Sequence, residues 1–122
     1  MKISYPDDCD NAPKRRAVKN FIISLYQNKF KEFDSLLDDK FELEKVGEDK
    51  IIGKLTLDKY SSTFSEITEL SIKEILSHGK FGACQGYIRD KTQRIDFAYF
   101  FEFKSAGKNV ILKVSEYKIK TK

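Results

Sequence analysis

Four strand-like runs follow one another through the second half of the chain, at residues 69–78, 82–89, 94–104 and 109–119, and they limit the fold more than any other feature. The separators are His78-Gly79-Lys80, Asp90-Lys91-Thr92-Gln93 and Ser105-Ala106-Gly107-Lys108. Connections this short join antiparallel neighbours, because a parallel crossover needs roughly a dozen residues. The third run sets Ile95, Phe97, Tyr99, Phe101 and Phe103 against Asp96, Ala98, Phe100 and Glu102. The fourth sets Val110, Leu112, Val114 and Glu116 against Ile111, Lys113, Ser115, Tyr117 and Ile119. A sheet whose second face carries Phe100, Ile111, Tyr117 and Ile119 among polar residues either packs on another subunit or lines a cavity. A one-residue change in the Ser105–Lys108 hairpin exchanges the faces, so both parities stay open at this stage.

Helical patterns lie upstream. Pro13 suits the first turn of a helix, and Val18, Phe21, Ile22 and Leu25 recur at helical spacing while Lys14, Arg15, Arg16, Lys19 and Asn20 take the other side. A second, shorter helical pattern after Asn28-Lys29 groups Phe30, Phe33, Leu36 and Leu37. Phe41–Lys45 alternates as a strand, Gly47–Lys50 reads as a turn, and Ile51-Ile52-Gly53 is a short strand. Thr56 is placed to cap a third helix through about Ile67, carrying Leu57, Tyr60 and Phe64. Residues 1–12 read as a loose leader and 13–122 as a single domain. Most helix is segregated from most strand, which makes the class α+β, with three helices against one face of an antiparallel sheet.

Composition narrows the function classes. The 122 residues, 40% hydrophobic, are enough for one core without disulfide or metal staples. Lysines and arginines number 23 against 19 acids, a net charge of +4, and the signs are interleaved without an aromatic-basic strand motif, so no nucleic-acid partner is expected. No apolar run reaches the length of a membrane span or a secretory signal, which points to a cytoplasmic protein without a membrane partner. Cys9 and Cys84 show no metal spacing and read as unpaired thiols, and His78 is the only histidine. With no phosphate loop and no paired histidines, neither metal nor cofactor is expected.

The remaining chemistry is acid–base. Proton abstraction beside a carbonyl needs a base aimed at carbon and a donor for the oxyanion. Asp96 or Glu102 as base, with Tyr99 or Tyr117 as donor and His78 as a further acid–base group, is one assembly. The other reading makes the same two acids ordinary cross-strand partners of Lys113 and Lys118. Most of the aromatic side chains must fill the core, and a few should ring a pocket mouth, tyrosines above all. The candidate ligand-lining set is Phe21, Tyr26, Tyr60, Phe97, Tyr99, Phe101 and Tyr117.

Nearly the whole chain resembles the nuclear transport factor 2-like (NTF2-like) superfamily, and more closely its SnoaL-like branch of small bacterial proteins. The residues that carry the resemblance are the Val18–Tyr26 helix, Leu36-Leu37-Asp38-Asp39, and Ile52-Gly53-Lys54. Further along they are Ser77-His78-Gly79-Lys80 with Gly82-Ala83 and Gly86, Phe97 to Phe103, and Val114-Ser115-Glu116-Tyr117-Lys118-Ile119. The resemblance implies a cone-shaped fold with a strongly curved sheet, a pocket at the open end and a homodimer through the outer sheet face. It does not imply an activity. The carboxylate that such enzymes often place near the end of the last strand would fall at Ile119-Lys120, and neither residue can serve as one. The expectation is a mostly apolar pocket for a small hydrophobic or amphipathic molecule. The alternatives are a cofactor-independent isomerase, cyclase or hydrolase using Asp96 or Glu102, and an interaction module without a ligand.

Overall fold

A computed structural model describes residues 1–8, 11–32 and 34–121, with the side chains of Glu32 and Thr121 excepted. Helix α1 covers Pro13–Gln27. Pro13 opens it, and Asn28 closes it in the left-handed conformation, its amide donating to the Ser24 carbonyl. Val18, Phe21, Ile22 and Leu25 are buried as their spacing requires, joined by Ala17 and Tyr26. Lys14, expected on the polar side, is buried as well. Its ammonium donates to the carbonyls of Ala106 (2.9 Å) and Lys108 (2.8 Å) and to Asn109 Oδ1 (3.1 Å), which fastens the last hairpin to the helix.

Among the described residues two α-helices form, not three. The Phe30–Leu37 segment makes two 3₁₀ turns, Phe30–Glu32 and Asp34–Leu36, before entering strand β2 at Leu37–Lys45. So few residues cannot repay helix nucleation without packing on both sides. Phe33 and Cys9 lie outside the described residues. Helix α2 is a short Leu57–Ser61, followed by a 3₁₀ turn at Ser62–Phe64. The Ser62 and Thr63 hydroxyls donate to the Lys59 and Tyr60 carbonyls, both at 2.7 Å, and this local bonding competes with helix propagation. Thr56 supplies no side-chain cap.

The remaining strands are β1 (Lys2–Ser4), β3 (Lys50–Gly53), β4 (Glu69–His78), β5 (Phe81–Arg89), β6 (Arg94–Ser105) and β7 (Lys108–Thr121). All seven form one sheet in the order β1-β4-β5-β6-β7-β2-β3. Its centre, β4 to β7, is the antiparallel meander read from the short loops. The sheet as a whole is mixed, because β1 joins β4 and β2 joins β7 in parallel. β1 leads into α1, and β2 turns back into the antiparallel β3 before 3₁₀ turns and α2 carry the chain into the meander. The segment expected to be loose therefore contributes a strand at Lys2–Ser4.

The faces are now fixed. Phe97, Tyr99, Phe101 and Phe103 are buried with Val18, Phe21 and Leu25 in the core, whereas Phe100 is exposed on the outer face. A register shift in the β6–β7 ladder between Phe103–Ile111 and Glu102–Lys113 puts Ile111 and Val114, three residues apart, into the same core. Beyond that bulge the inward positions of β7 are Val114, Glu116 and Lys118, and Tyr117 and Ile119 point outward.

Candidate functional site

The inward end of β7 carries the chemistry. Glu116 is 2% exposed and sits opposite Tyr99 across the β6–β7 ladder. Tyr99 Oη donates to Glu116 Oε2 at 2.7 Å, and Tyr60 Oη, from α2, donates to Oε1 at 2.6 Å. Tyr26 Oη, from the last turn of α1, lies 2.5 Å from Tyr99 Oη. Each phenol has one proton and Tyr99 gives its own to Glu116, so Tyr26 is the donor in that contact. Lys118 Nζ lies 3.6 Å from Glu116 Oε2 and donates to Tyr60 Oη at 3.3 Å. Four elements thus converge on one buried carboxylate, and α2 is anchored beside it by the Ser61 hydroxyl, which donates to the Leu25 carbonyl.

The electrostatics follow from the burial. Tyr60 and Tyr26 are held above the ordinary tyrosine range, first by loss of water and then by the negative charge of Glu116. Tyr99 is raised by burial, then by Tyr26 and Glu116. Burial pushes the Lys118 ammonium down, Lys45 pushes the same way, and Glu116 opposes them without reversing the direction. The rings of Phe64, Tyr26 and Tyr60 surround the Lys118 ammonium, with centroids at 4.2, 5.4 and 5.6 Å.

Tyr26 is also one wall of a surface depression of about 430 Å³ at the end of α1. Phe64 and Ile67 share its apolar floor, with Asn28, Ser61 and Ser62 among the polar groups around it. A hydrogen-bonded chain therefore runs from the depression wall through Tyr26 and Tyr99 to Glu116.

Of the candidates read from sequence, the structure brings Tyr26, Tyr60 and Tyr99 together here. Phe97 stacks on Tyr26 at 5.9 Å. Phe21 and Phe101 are deeper, with Phe21 packed against Phe30, Phe41 and Phe101 at 5.2–5.9 Å, so they fill the core. Tyr117 is on the opposite face, 42% exposed, with its ring 5.7 Å from Phe100. Asp96 and Glu102 are on that outer face as well, paired with Arg94 (2.9 Å) and Lys80 (3.3 Å). His78 is exposed at the end of β4. The expected assembly of Asp96 or Glu102 with His78 and a tyrosine does not form, because the β6 parity that buries its phenylalanines sends both acids outward. Cys84 is buried, its thiol pushed up by loss of water, and it pairs with Ile75 rather than with His78.

Glu116 and Lys118 were the residues missed. The signal was an acid and a lysine continuing the parity of Val114, and which parity faces the core is decided only by the bulge near Leu112. Among the described residues no cluster of three or more His, Cys, Asp or Glu could hold a metal ion, and no helix is long and apolar enough to cross a membrane.

No protein-family model matches the sequence, and no curated protein matches it. Solved structures do. An NTF2-like protein of unknown function from Burkholderia xenovorans superposes with a TM-score of 0.76 at 13% identity, covering 94% of this chain and 88% of that one. The chain has the NTF2-like fold. A protein assigned as a SnoaL-like polyketide cyclase from Shewanella denitrificans gives 0.69 at 10% identity, over 87% and 90% of the two chains. A steroid delta-isomerase from Pseudomonas aeruginosa gives 0.68 at 10% identity, over 88% and 80%. At these identities the NTF2-like likeness is one of fold, and the chemistry has to come from the site.

Proposed function

We propose that this NTF2-like domain binds a small hydrophobic or amphipathic molecule in the depression floored by Tyr26, Phe64 and Ile67. The observation that carries the reading is the double role of Tyr26, whose ring walls the depression while its hydroxyl is fixed within the Glu116 cluster. A wall held by a buried hydrogen-bond chain is pre-organised, so little ordering cost falls on binding. The test is a thermal-shift panel of medium-chain alcohols and ketones. A ligand at about ten times its Kd should raise Tm by roughly 4 °C. Ser62→Trp, which fills the depression from its rim, should remove the shift. A panel without any shift would sink the reading.

A second reading, acid–base turnover of the isomerase or cyclase kind, is favoured by one observation: a carboxylate and three phenols lie together inside the fold. In that reading Glu116 takes the part that sequence assigned to Asp96 or Glu102. Its check is deuterium uptake beside the carbonyl of a bound ketone, lost in Glu116→Gln.

Assembly is proposed as a homodimer through the outer sheet face. Leu76, Phe81, Phe100, Tyr117 and Ile119 are exposed there, and depressions of about 240 and 260 Å³ meet at Phe100. Around them Lys80–Glu102, Arg94–Asp96 and Arg89–Glu69 are paired within the face. A second copy would thus meet an apolar centre with compensated charge, as a two-fold contact requires.

A further inference from the structure

We propose that Lys118 is a nucleophilic amine that condenses with a small aldehyde or ketone to form an imine. The chain has 19 lysines, and the surroundings of this one are distinctive. Lys14 lies over Phe103, Lys45 over Tyr60, Lys73 over Tyr87 and Lys80 over Phe81, whereas Lys118 has three rings within 5.6 Å. The ring faces and Glu116 attract the ammonium, whereas the loss of water inside the ring of aromatic side chains favours the reactive neutral amine. A second cation adds to this: Lys45 Nζ lies 4.9 Å from the centroid of the same Tyr60 ring. The downward displacement of the Lys118 ammonium agrees in sign, with burial its largest cause.

Condensation also needs groups that move protons, and both are in place. Tyr60 Oη is 3.3 Å and Glu116 Oε2 is 3.6 Å from Nζ. The nitrogen lone pair forms the N–C bond to the carbonyl carbon, and the two protons lost from nitrogen end on the carbonyl oxygen, which leaves as water. Tyr60 and Glu116 are placed to carry them, and no oxidant or reductant is consumed. The Lys118 side chain as a whole keeps 19% exposure. Tyr26 and Phe64, two of its three rings, line the depression, so this inference deepens the binding reading and rests on it for access.

The experiment uses the full chain, hexanal, and cyanoborohydride to trap any imine as a secondary amine, followed by peptide mapping. Lys118 should be alkylated at least about tenfold faster than the median of the other lysines. Lys118→Arg, which keeps the charge, should lose that adduct while its Tm stays within a few degrees of the parent. Should the variant fail to fold, the mapping of the parent chain still gives the rate at Lys118. Labelling spread over the lysines without preference for Lys118 overturns the inference. Hexanol, which cannot condense, separates the two readings. A hexanol shift without a fast adduct overturns the imine alone, neither signal overturns both, and a fast adduct without a hexanol shift supports the imine and counts against the depression as the binding site.

Discussion

Glu116 can only accept hydrogen bonds, and Tyr60, Tyr99 and Lys118 all supply it with protons or positive charge, so the cluster's protons are tied to the folded state. Tyr26, Tyr60 and Tyr99 hold theirs above the ordinary tyrosine value of 10.0. The unfolded chain releases protons from these residues as pH passes that value while the folded chain keeps them, so their contribution to stability is complete below it and is lost above it. Lys118, lowered from 10.5, acts with the opposite sign: the unfolded chain binds its proton where the folded chain does not, so stability rises with pH up to that value. Three groups outweigh one. Urea midpoints should therefore rise slightly or stay flat toward pH 10 and fall steeply above it, by up to about 1.4 kcal/mol per tyrosine per pH unit. Tyr60→Phe should make the fall shallower, and an unchanged slope would contradict the role given to Tyr60. At this scale the sequence displayed Tyr26, Tyr60 and Tyr99 as polar-tipped aromatics. It hid Glu116 and Lys118, whose direction depends on a bulge rather than on their own chemistry.

Strands β4 and β5 approach each other closely at Gly86. A Cβ there would lie 2.0 Å from the Ser71 carbonyl oxygen and 3.0 Å from Ile72 Cα, next to the β4 irregularity between Ile72 and Glu74. Both obstacles are backbone and neither can rotate away, so Gly86→Ala should cost several kcal/mol, on the order of 3 or more. Gly53→Ala is the control, with open space around its Cβ position and an ordinary φ, and should stay within about 0.5 kcal/mol. Equal denaturation midpoints for the two variants would remove the close-approach argument. Elements with strong local periodicity were legible in the sequence: α1 from Val18, Phe21, Ile22 and Leu25, and β4 to β7 from their turns. The second and third helical patterns were not, because their length and serine and threonine content leave the outcome to packing and local hydroxyl bonding.

On the whole molecule, the outer sheet face carries the proposed dimer contact. Phe100 is 55% exposed at the meeting point of the two outer depressions. In a two-fold dimer it would be buried twice, so Phe100→Asp should weaken self-association by at least about tenfold. Analytical ultracentrifugation across a concentration series checks this. A parent chain that stays monomeric at all concentrations would leave the face to a different partner.

The sequence by itself determined the α+β class, the meander, the first helix and a likeness to the NTF2-like superfamily, because these rest on periodicity and on turn residues that act within a few positions of themselves. Only the tertiary structure decided that β1 and β2 join in parallel, that Asp96, Glu102 and Tyr117 face outward, and that Glu116 and Lys118 face inward. The physical reason is that a β-strand has a period of two. One extra residue at a bulge exchanges its faces, and that choice is made by the packing of Phe97, Tyr99, Phe101 and Phe103 against α1 rather than by any local preference.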